Sequence, residues 1–357
     1  MPQLHRVLFL VVSSALCLIS CQSAGEAGRS YTEVRGMTMG TTYTIRYYSY
    51  DPKVRIKDSV NAILADVNDA LSTYIPTSHI SRFNEAGNLR FPVDRDGRTV
   101  RRKDGYFMSN VYESFRVHRV TNGAFDPTVQ PLVQVWGFGS DGRQDTAPDS
   151  SAIDALLQQI GMQYVEVDRI GDTLEVRRMR DGIQLDFSAI AKGFGVDMLC
   201  FLLEQNSIFD YYVEIGGELR VAGDSPRGGP WILGINTPRS DASATEIYTR
   251  VRLQSAGMAT SGNYRNFYMI DGQRVWHSIN PLTGYPEANH LLSATVVHAQ
   301  CMTADALATG CMILGVERAL AMIEAFEGAE TYLIYENSDG TMTPAMSSGF
   351  GTYLLEE

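Results

Sequence analysis

Apolar positions along the chain follow two periods, and the shift between them organises the molecule. Ile56, Val60, Ile63, Leu64, Val67 and Leu71 fall on one helical face, which predicts an amphipathic helix over 54–72. Just before it, residues 41–50 are rich in β-branched and aromatic side chains and read as a strand. Weaker helical patterns cover 105–120 and 149–160, and Asp149 stands where a helix N-terminus favours an acid. From 164 to 272 the pattern breaks into short apolar runs punctuated by glycine. Residues 164–167, 173–176, 183–185, 211–215, 231–235 and 267–270 are each predicted as strands, with one helix over 190–205 among them. Asp271-Gly272, between apolar runs, predicts a hairpin with a type I′ turn. Residues 293–299 read as a strand, 302–314 and 316–326 as helices, and a final hairpin closes the chain. Strands and helices mix without regular βαβ alternation, so the expected class is α+β.

Composition narrows the function. The 357-residue chain is 44% hydrophobic and 20% charged, enough apolar content for a core. Its formal net charge of −11 excludes a general nucleic-acid coat, which needs a basic surface. A nucleotide ligand stays compatible, because one local cation serves a phosphate. The N-terminal stretch is different in kind. His5 and Arg6 precede an apolar run over 7–19, short for a membrane span, and Ser20-Cys21 follows. Leu18-Ile19-Ser20-Cys21 resembles a lipobox, which would make Cys21 the lipidation site; an ordinary signal peptide with an incidental cysteine is the alternative. The expected organisation is a lipoprotein signal peptide over 1–21, a polar tether over 22–35, one catalytic domain over 36–350 and a tail over 351–357. The expected location is the bacterial cell envelope, with the chain lipid-anchored to a membrane and facing the periplasm or the exterior. Beyond the leader, Cys200, Cys301 and Cys311 form an odd set without a CxxC pair, so no disulfide framework is expected. Cys200 and Cys311 lie in apolar helical patterns, as core residues do.

Four segments carry candidate chemistry. In Thr303-Ala304-Asp305-Ala306-Leu307-Ala308-Thr309, Asp305 and Thr309 are four residues apart and share one helical face. A carboxylate and a hydroxyl suit a hard cation whose other ligands are waters and substrate phosphates, as with Mg²⁺. An acid favoured by the helix dipole and a threonine bonded to its own backbone would look the same. In Asp186-Phe187-Ser188-Ala189-Ile190-Ala191-Lys192-Gly193-Phe194-Gly195, a strand end meets a helix start. Backbone amides there bind anions, and Lys192 adds a point charge for a diphosphate; a glycine-eased turn with a surface lysine is the plainer reading. Thr121-Asn122-Gly123-Ala124-Phe125-Asp126-Pro127-Thr128 is a turn segment whose Phe125 could stack on a flat ring. His277, at a strand edge before Pro281-Leu282-Thr283-Gly284, is placed to act as acid or base, although a structural histidine has the same appearance. Tyr74, at a helix end, is large enough to cover an aromatic ligand.

Read in order, MGTTYTI, LSTYIPTSHISRFN, TNGAFDPTV, DFSAIAKGFGVD, EIGGELRVAG, ATSGNYRNF, HSINPLTGYP and ADALATG resemble the successive signature segments of the ApbE family and span nearly all of the chain after its leader. The resemblance implies a T-fold-like α+β architecture: mixed, mainly antiparallel sheets packed with helices, with the active site in a cleft between two halves. It implies an enzyme that takes FAD as substrate with Mg²⁺ at the diphosphate, moves FMN onto a threonine hydroxyl of a target protein and releases AMP. The implied acceptor is a membrane or secreted flavoprotein of an electron-transfer complex. Carried over by residue, the resemblance makes Asp305, Thr309 and the Ala189 carbonyl metal ligands. It places Met39, Tyr74, Ala124, Phe125, Asp126, Asp186, Lys192 and Ile279 along the FAD site and gives His277 a catalytic role. Asn280 departs from the family, which often has Asp there. Three rival functions remain: hydrolysis of FAD to FMN and AMP, simple FAD binding, and general solute binding. The last is disfavoured because two regular βαβ halves are lacking.

Overall fold

The computed structural model describes residues 30–355, apart from 50, 52–54, 140–141, 143–145, 244, 264–266, 271–272 and 288. The predicted leader and Cys21 lie outside the described residues. The first half of the chain runs β1 (Ser30–Thr38), β2 (Thr41–Ser49), α1 (Lys57–Leu71), α2 (His79–Ala86), β3 (Asn88–Pro92), α3 (Arg102–Val120), α4 (Gln130–Val135), α5 (Ser150–Leu157), β4 (Val165–Ile170) and β5 (Thr173–Arg178). The second half begins with α6 (Ala191–Gln205), β6 (Tyr211–Ile215), β7 (Glu218–Ala222), β8 (Trp231–Asn236), β9 (Ile247–Leu253) and β10 (Ala256–Gly262). It ends with β11 (Phe267–Ile270), β12 (Gln273–Trp276), β13 (Leu291–His298), α7 (Cys301–Leu314), α8 (Val316–Glu324), β14 (Glu330–Glu336) and β15 (Met342–Met346).

An eight-stranded antiparallel sheet in the order β1-β2-β6-β7-β10-β13-β14-β15 forms the frame. Because successive strand residues face opposite sides, each strand contributes to two cores. Val213 and Ile215 of β6 and Ala259 of β10 join the large core beneath α1, α3, α6 and α7. Leu219 and Val221 of β7 and Met258 of β10 face a second core with Trp231, Val251 and Phe350. A satellite core of Leu132, Trp136, Ile153, Tyr268, Val275 and Ile279 packs α4 and α5 with the β11–β12 hairpin. The class is therefore α+β with mainly antiparallel sheets, and the cleft lies between the main sheet with its helices and the satellite core.

Several expectations need adjustment. Residues 30–35, expected as the end of the tether, belong to β1, which pairs with β2 along its whole length. Most of the expected tail is packed: residues 350–353 form a 3₁₀ turn, Leu354 bridges to Val251, and the Leu355 N–H reaches the Arg250 carbonyl. Residues 183–185 do not form a strand. The Asn84 amide takes the partner's place, donating to the Leu185 carbonyl at 2.9 Å and accepting its N–H at 2.7 Å. Helix α2, not predicted, is held at both ends: the Ser78 hydroxyl accepts the Ser81 N–H, and Gly87 closes the C-terminus at φ 79°. The hairpin at 271–272 is present as the β11–β12 pair, with its turn outside the described residues. Cys200, Cys301 and Cys311 are free and buried.

Candidate active site

The site begins with a close crossing of α6 and α7. A Cβ on Gly193 would sit 2.5 Å from the Cys301 carbonyl oxygen, and one on Gly257 would sit 2.7 Å from the Cys301 backbone. Glycine at both places therefore lets α7 start close against α6 and β10. The start of α7 is fixed by Asp197 of α6, whose carboxylate accepts the Cys301 N–H at 3.1 Å and the Met302 N–H at 2.9 Å. Arg220 of β7 supports that carboxylate at 3.4 Å. Burial nevertheless pushes Asp197 up to about 6, against these hydrogen bonds and the guanidinium. The crossing brings the Gly193 N–H to Asp305 Oδ2 at 2.9 Å. Gly193 thus serves helix packing and holds the Asp305 carboxylate through its N–H.

Asp305 is 2% exposed, and its other oxygen lies 3.9 Å from Lys192 Nζ. Lys192 also lies 3.5 Å from Glu218 Oε1. Burial opposes the Lys192 ammonium, but the Asp305 and Glu218 carboxylates outweigh it and hold its pKa above the ordinary lysine value. Burial raises Asp305, with Lys192 opposing. Burial also raises Glu218, where Lys192 opposes and the negative charge of Asp305 adds to the shift. The Lys192 charge is therefore shared between two carboxylates at the wall of the cavity. Thr309 follows Asp305 by one turn of α7, and its hydroxyl meets Ser261 of β10 at 3.2 Å. Glu218 and Ser261 lie inside the segments EIGGELRVAG and ATSGNYRNF, but sequence alone assigns neither a role. Strand alternation puts Glu218 on the same face as Arg220, and Ser261 on the same face as Ala259, toward the helices.

The opposite wall is made of loops. Asp126 is buried, and its carboxylate is spent on its own fold: Oδ1 accepts the Thr128 N–H and hydroxyl, while Oδ2 accepts the Met162 N–H at 3.3 Å and faces His118 Nδ1 at 3.4 Å. Burial raises its pKa, with His118 opposing. The Phe125 ring is 3% exposed and belongs to the main core, so it is not available to stack on a flat ligand as expected. The Asp186 N–H donates to the Pro127 carbonyl at 2.7 Å, which ties this loop to the approach of α6, and the Asp186 carboxylate accepts from Ser188. Trp136 Nε1 donates to the Gly284 carbonyl at 2.8 Å. Gly284, at φ 80°, has no room for a Cβ, which would lie 2.4 Å from Ile153. Asn280 holds the same turn: its Oδ1 accepts the Leu282 N–H at 2.9 Å and its Nδ2 donates to Glu287 Oε2 at 2.7 Å. His277, just after β12, stands edge-on to Phe138 with ring centroids 6.4 Å apart.

Between these walls is a cavity of about 1040 Å³, at the upper end of the range for small-molecule sites. Tyr74, Ala124, Phe125, Asp126, Asp186, Ala189, Lys192, His277, Ile279, Asp305 and Thr309 all line it. Met39 is not among its lining residues. It sits in the β1–β2 turn at φ 48°, and its side chain packs toward Gly195. Tyr74 is 73% exposed at the cavity.

The donors fit a hard cation. Asp305, Thr309 and Ala189 all line the cavity, and between them they carry a carboxylate, a hydroxyl and a backbone carbonyl, the oxygen chemistry that Mg²⁺ takes alongside waters and phosphates. Among the described residues no group of three or more His, Cys, Asp or Glu converges as a metal cage, so a cation here would rest on these mixed donors. Glu218 also lines this cavity, and its Oε2 is buried without a hydrogen-bond partner among the described residues.

Fold and cleft together define an α+β enzyme whose site pairs a buried carboxylate–lysine cluster on two helices and a strand with a loop wall bearing a histidine. The profile of the ApbE family matches residues 39–333, and the chain belongs to that family. It is 37% identical over 349 residues to a FAD:protein FMN transferase of Vibrio cholerae, covering 96% of this chain and 98% of the relative. It is 34% identical over 344 residues to a protein of the same description from Haemophilus influenzae, covering 95% of each. Among solved structures, the flavin transferase ApbE from Vibrio cholerae superposes with a TM-score of 0.78 at 35% identity, covering 91% of this chain and 100% of that one. The apo flavinyl transferase ApbE of Pseudomonas stutzeri gives 0.77 at 32% identity, covering 91% and 97%.

Proposed function

We propose that this enzyme transfers the FMN half of FAD to a threonine hydroxyl of a target protein, with Mg²⁺, and releases AMP. The observation that carries the reading is the convergence of Asp305, Thr309, Ala189 and Lys192 on one wall of a cleft that has His277 on the other. The names of the relatives, FAD:protein FMN transferase, support movement of FMN from FAD to a protein. In the transfer, the threonine oxygen forms a bond to the phosphorus of the FMN half. The bond from that phosphorus to the bridging oxygen breaks, and AMP leaves with the electron pair. The hydroxyl proton goes to a base, a role we assign to His277. Asp305, Thr309 and the Ala189 carbonyl would hold Mg²⁺, which neutralises charge on the diphosphate when bound. Asp126 and Asn280 keep the facing loops in place, and Lys192 balances the carboxylates beside the phosphates.

The leader supports a lipid anchor at Cys21, which would hold the enzyme to an envelope membrane facing the periplasm or the exterior, where the acceptor would be a membrane or secreted redox protein. No helix among the described residues is long and apolar enough to cross a membrane.

The test mixes the full chain with FAD, Mg²⁺ and a threonine-bearing acceptor, and follows AMP and acceptor mass. Acceptor gaining the mass of FMN, with loss on Asp305→Ala, supports transfer. One observation favours a second reading: Tyr74 stands open to solvent, so water can enter. AMP and free FMN with an unmodified acceptor would replace transferase by hydrolase.

A further inference from the structure

Glu218 combines burial with an unmet oxygen. It is the first residue of β7, just after Gly216 and Gly217, which turn the chain at φ 63° and 112°. Alternation directs its side chain to the helix layer, as it does Arg220. Glu218 is 5% exposed; Oε1 faces Lys192 Nζ at 3.5 Å, and Oε2 has no partner among the described residues. A buried acceptor left unpaired is costly, and more so when it carries charge. Glu218 lines the cavity, so a ligand held there is a source for the missing donor.

The surroundings select that donor. One oxygen of Asp305 is taken by the Gly193 N–H, and the other faces Lys192. Thr309 meets Ser261 through its hydroxyl. A phosphate group would bring more acceptors and more negative charge, and so would not satisfy Glu218. A divalent cation held by one carboxylate and a hydroxyl keeps several waters, and each bound water is a strong donor. Carboxylates just outside a ligand set hold such waters and ligands in place.

We propose that Glu218 is a positioning residue for the cation: its Oε2 accepts a hydrogen bond from a water of a divalent ion bound at Asp305 and Thr309. This rests on the cation part of the proposed function and not on the transfer step. The full chain, free of FAD, is titrated with Mn²⁺ as probe, and free Mn²⁺ is read by its paramagnetic resonance signal. Glu218→Gln keeps size and removes the charge. It is expected to weaken Mn²⁺ binding by about 10- to 100-fold, with the circular dichroism spectrum unchanged. Binding equal to wild type, with loss in Asp305→Ala, would overturn this proposal and leave the cation site standing; Oε2 would then be served by an ordinary water or by the substrate. No Mn²⁺ binding in the wild type would overturn the cation reading itself. If Glu218→Gln does not fold, Glu218→Asp takes its place: it keeps the charge but withdraws it by one methylene. A weakening of about 5-fold or more then supports the role, and wild-type affinity overturns it.

Discussion

The two walls of the cleft hold their polar groups by different means. On one wall, Asp305, Lys192, Glu218 and Thr309 sit on α7, α6 and β7, where helix and sheet hydrogen bonds fix the backbone and glycines at 193 and 257 set the distance between elements. On the other wall, Asp126, His277 and Asn280 sit on loops, and the loops are held by side chains bonded to backbone: Asp126 to Thr128 and Met162, Trp136 to Gly284, Asn280 to Leu282. The first construction places a few charged atoms rigidly. The second shapes a surface, and many of its conspicuous residues work inward on the loop. Removing a residue from the first wall should therefore strike function and spare the fold, whereas several residues of the second should do the reverse.

The largest expected effect tests this directly. Asp305→Asn removes the charge of the cation site but keeps an acceptor for the Gly193 N–H, with Glu218 still facing Lys192; AMP release from FAD should fall by about 10³- to 10⁴-fold, while the unfolding midpoint moves little. A melting point lowered by many degrees would mean that the Asp305 charge is instead a structural partner of Lys192. His277→Ala is expected to follow, with a loss of about 10³-fold in single-turnover transfer and FAD affinity within a few-fold of wild type. His277 is singled out on its wall because it lines the cavity and carries the titratable ring to which the proton is assigned. Unchanged turnover would leave the hydroxyl proton to another group and make the loop wall purely architectural.

Legibility from sequence divides along the same line. The spacing of Asp305 and Thr309 was readable because a helix has a fixed period, and the amphipathic pattern of α1 and the apolar run of α6 were readable for the same reason. Strand 211–215 and strand 267–270 were visible from β-branched and aromatic content. The pairing of Glu218 with Lys192 was not readable, since it depends on which strand lies beneath α6. The burial of Phe125 was not readable either: a ring in a turn segment looks available, and only the packing of the loop against the main core closes it. The false strand at 183–185 failed because an asparagine side chain, distant in sequence, supplied the bonds that a neighbouring strand would give. The partners of Lys192 could not be read because no acid stands three or four residues from it on α6; both its carboxylates come from other elements.

Asp197 extends the comparison to stability. It caps α7 from α6, so it belongs to the rigid wall although it does not reach the cavity. Its carboxyl titrates near 3.8 when unshielded and is pushed up to about 6 in the fold. Between these values the unfolded chain has lost its proton while the folded chain still holds it. The native state then binds more protons, so this group's contribution to stability is present below pH 4 and is lost as pH rises to about 6. The two values imply a loss of about 3 kcal/mol. Denaturant unfolding of wild type and Asp197→Asn at pH 4 and pH 7 reads this contribution: the stability of the wild type relative to the variant should fall by about that amount. A difference that stays level would show that the two backbone N–H groups and Arg220 keep Asp197 charged throughout.

The smallest effect concerns Asn280, where this chain departs from the family's frequent Asp. The amide is used at both ends: its oxygen accepts the Leu282 N–H, and its nitrogen donates to Glu287 across the turn. An aspartate could keep the first bond but would set a second carboxylate against Glu287 in a residue that is buried in this fold. Asn280→Asp should therefore cost about 1 kcal/mol at neutral pH, and the loss should shrink in acid, where one of the two carboxylates takes a proton. The double variant Asn280→Asp with Glu287→Gln restores a donor opposite the new acid and should recover most of the loss, giving a coupling energy of about 1 kcal/mol in the double-mutant cycle. Additive losses would mean that the turn is held by Trp136 and Gly284 alone, and that the amide at 280 adds nothing to the wall that carries His277.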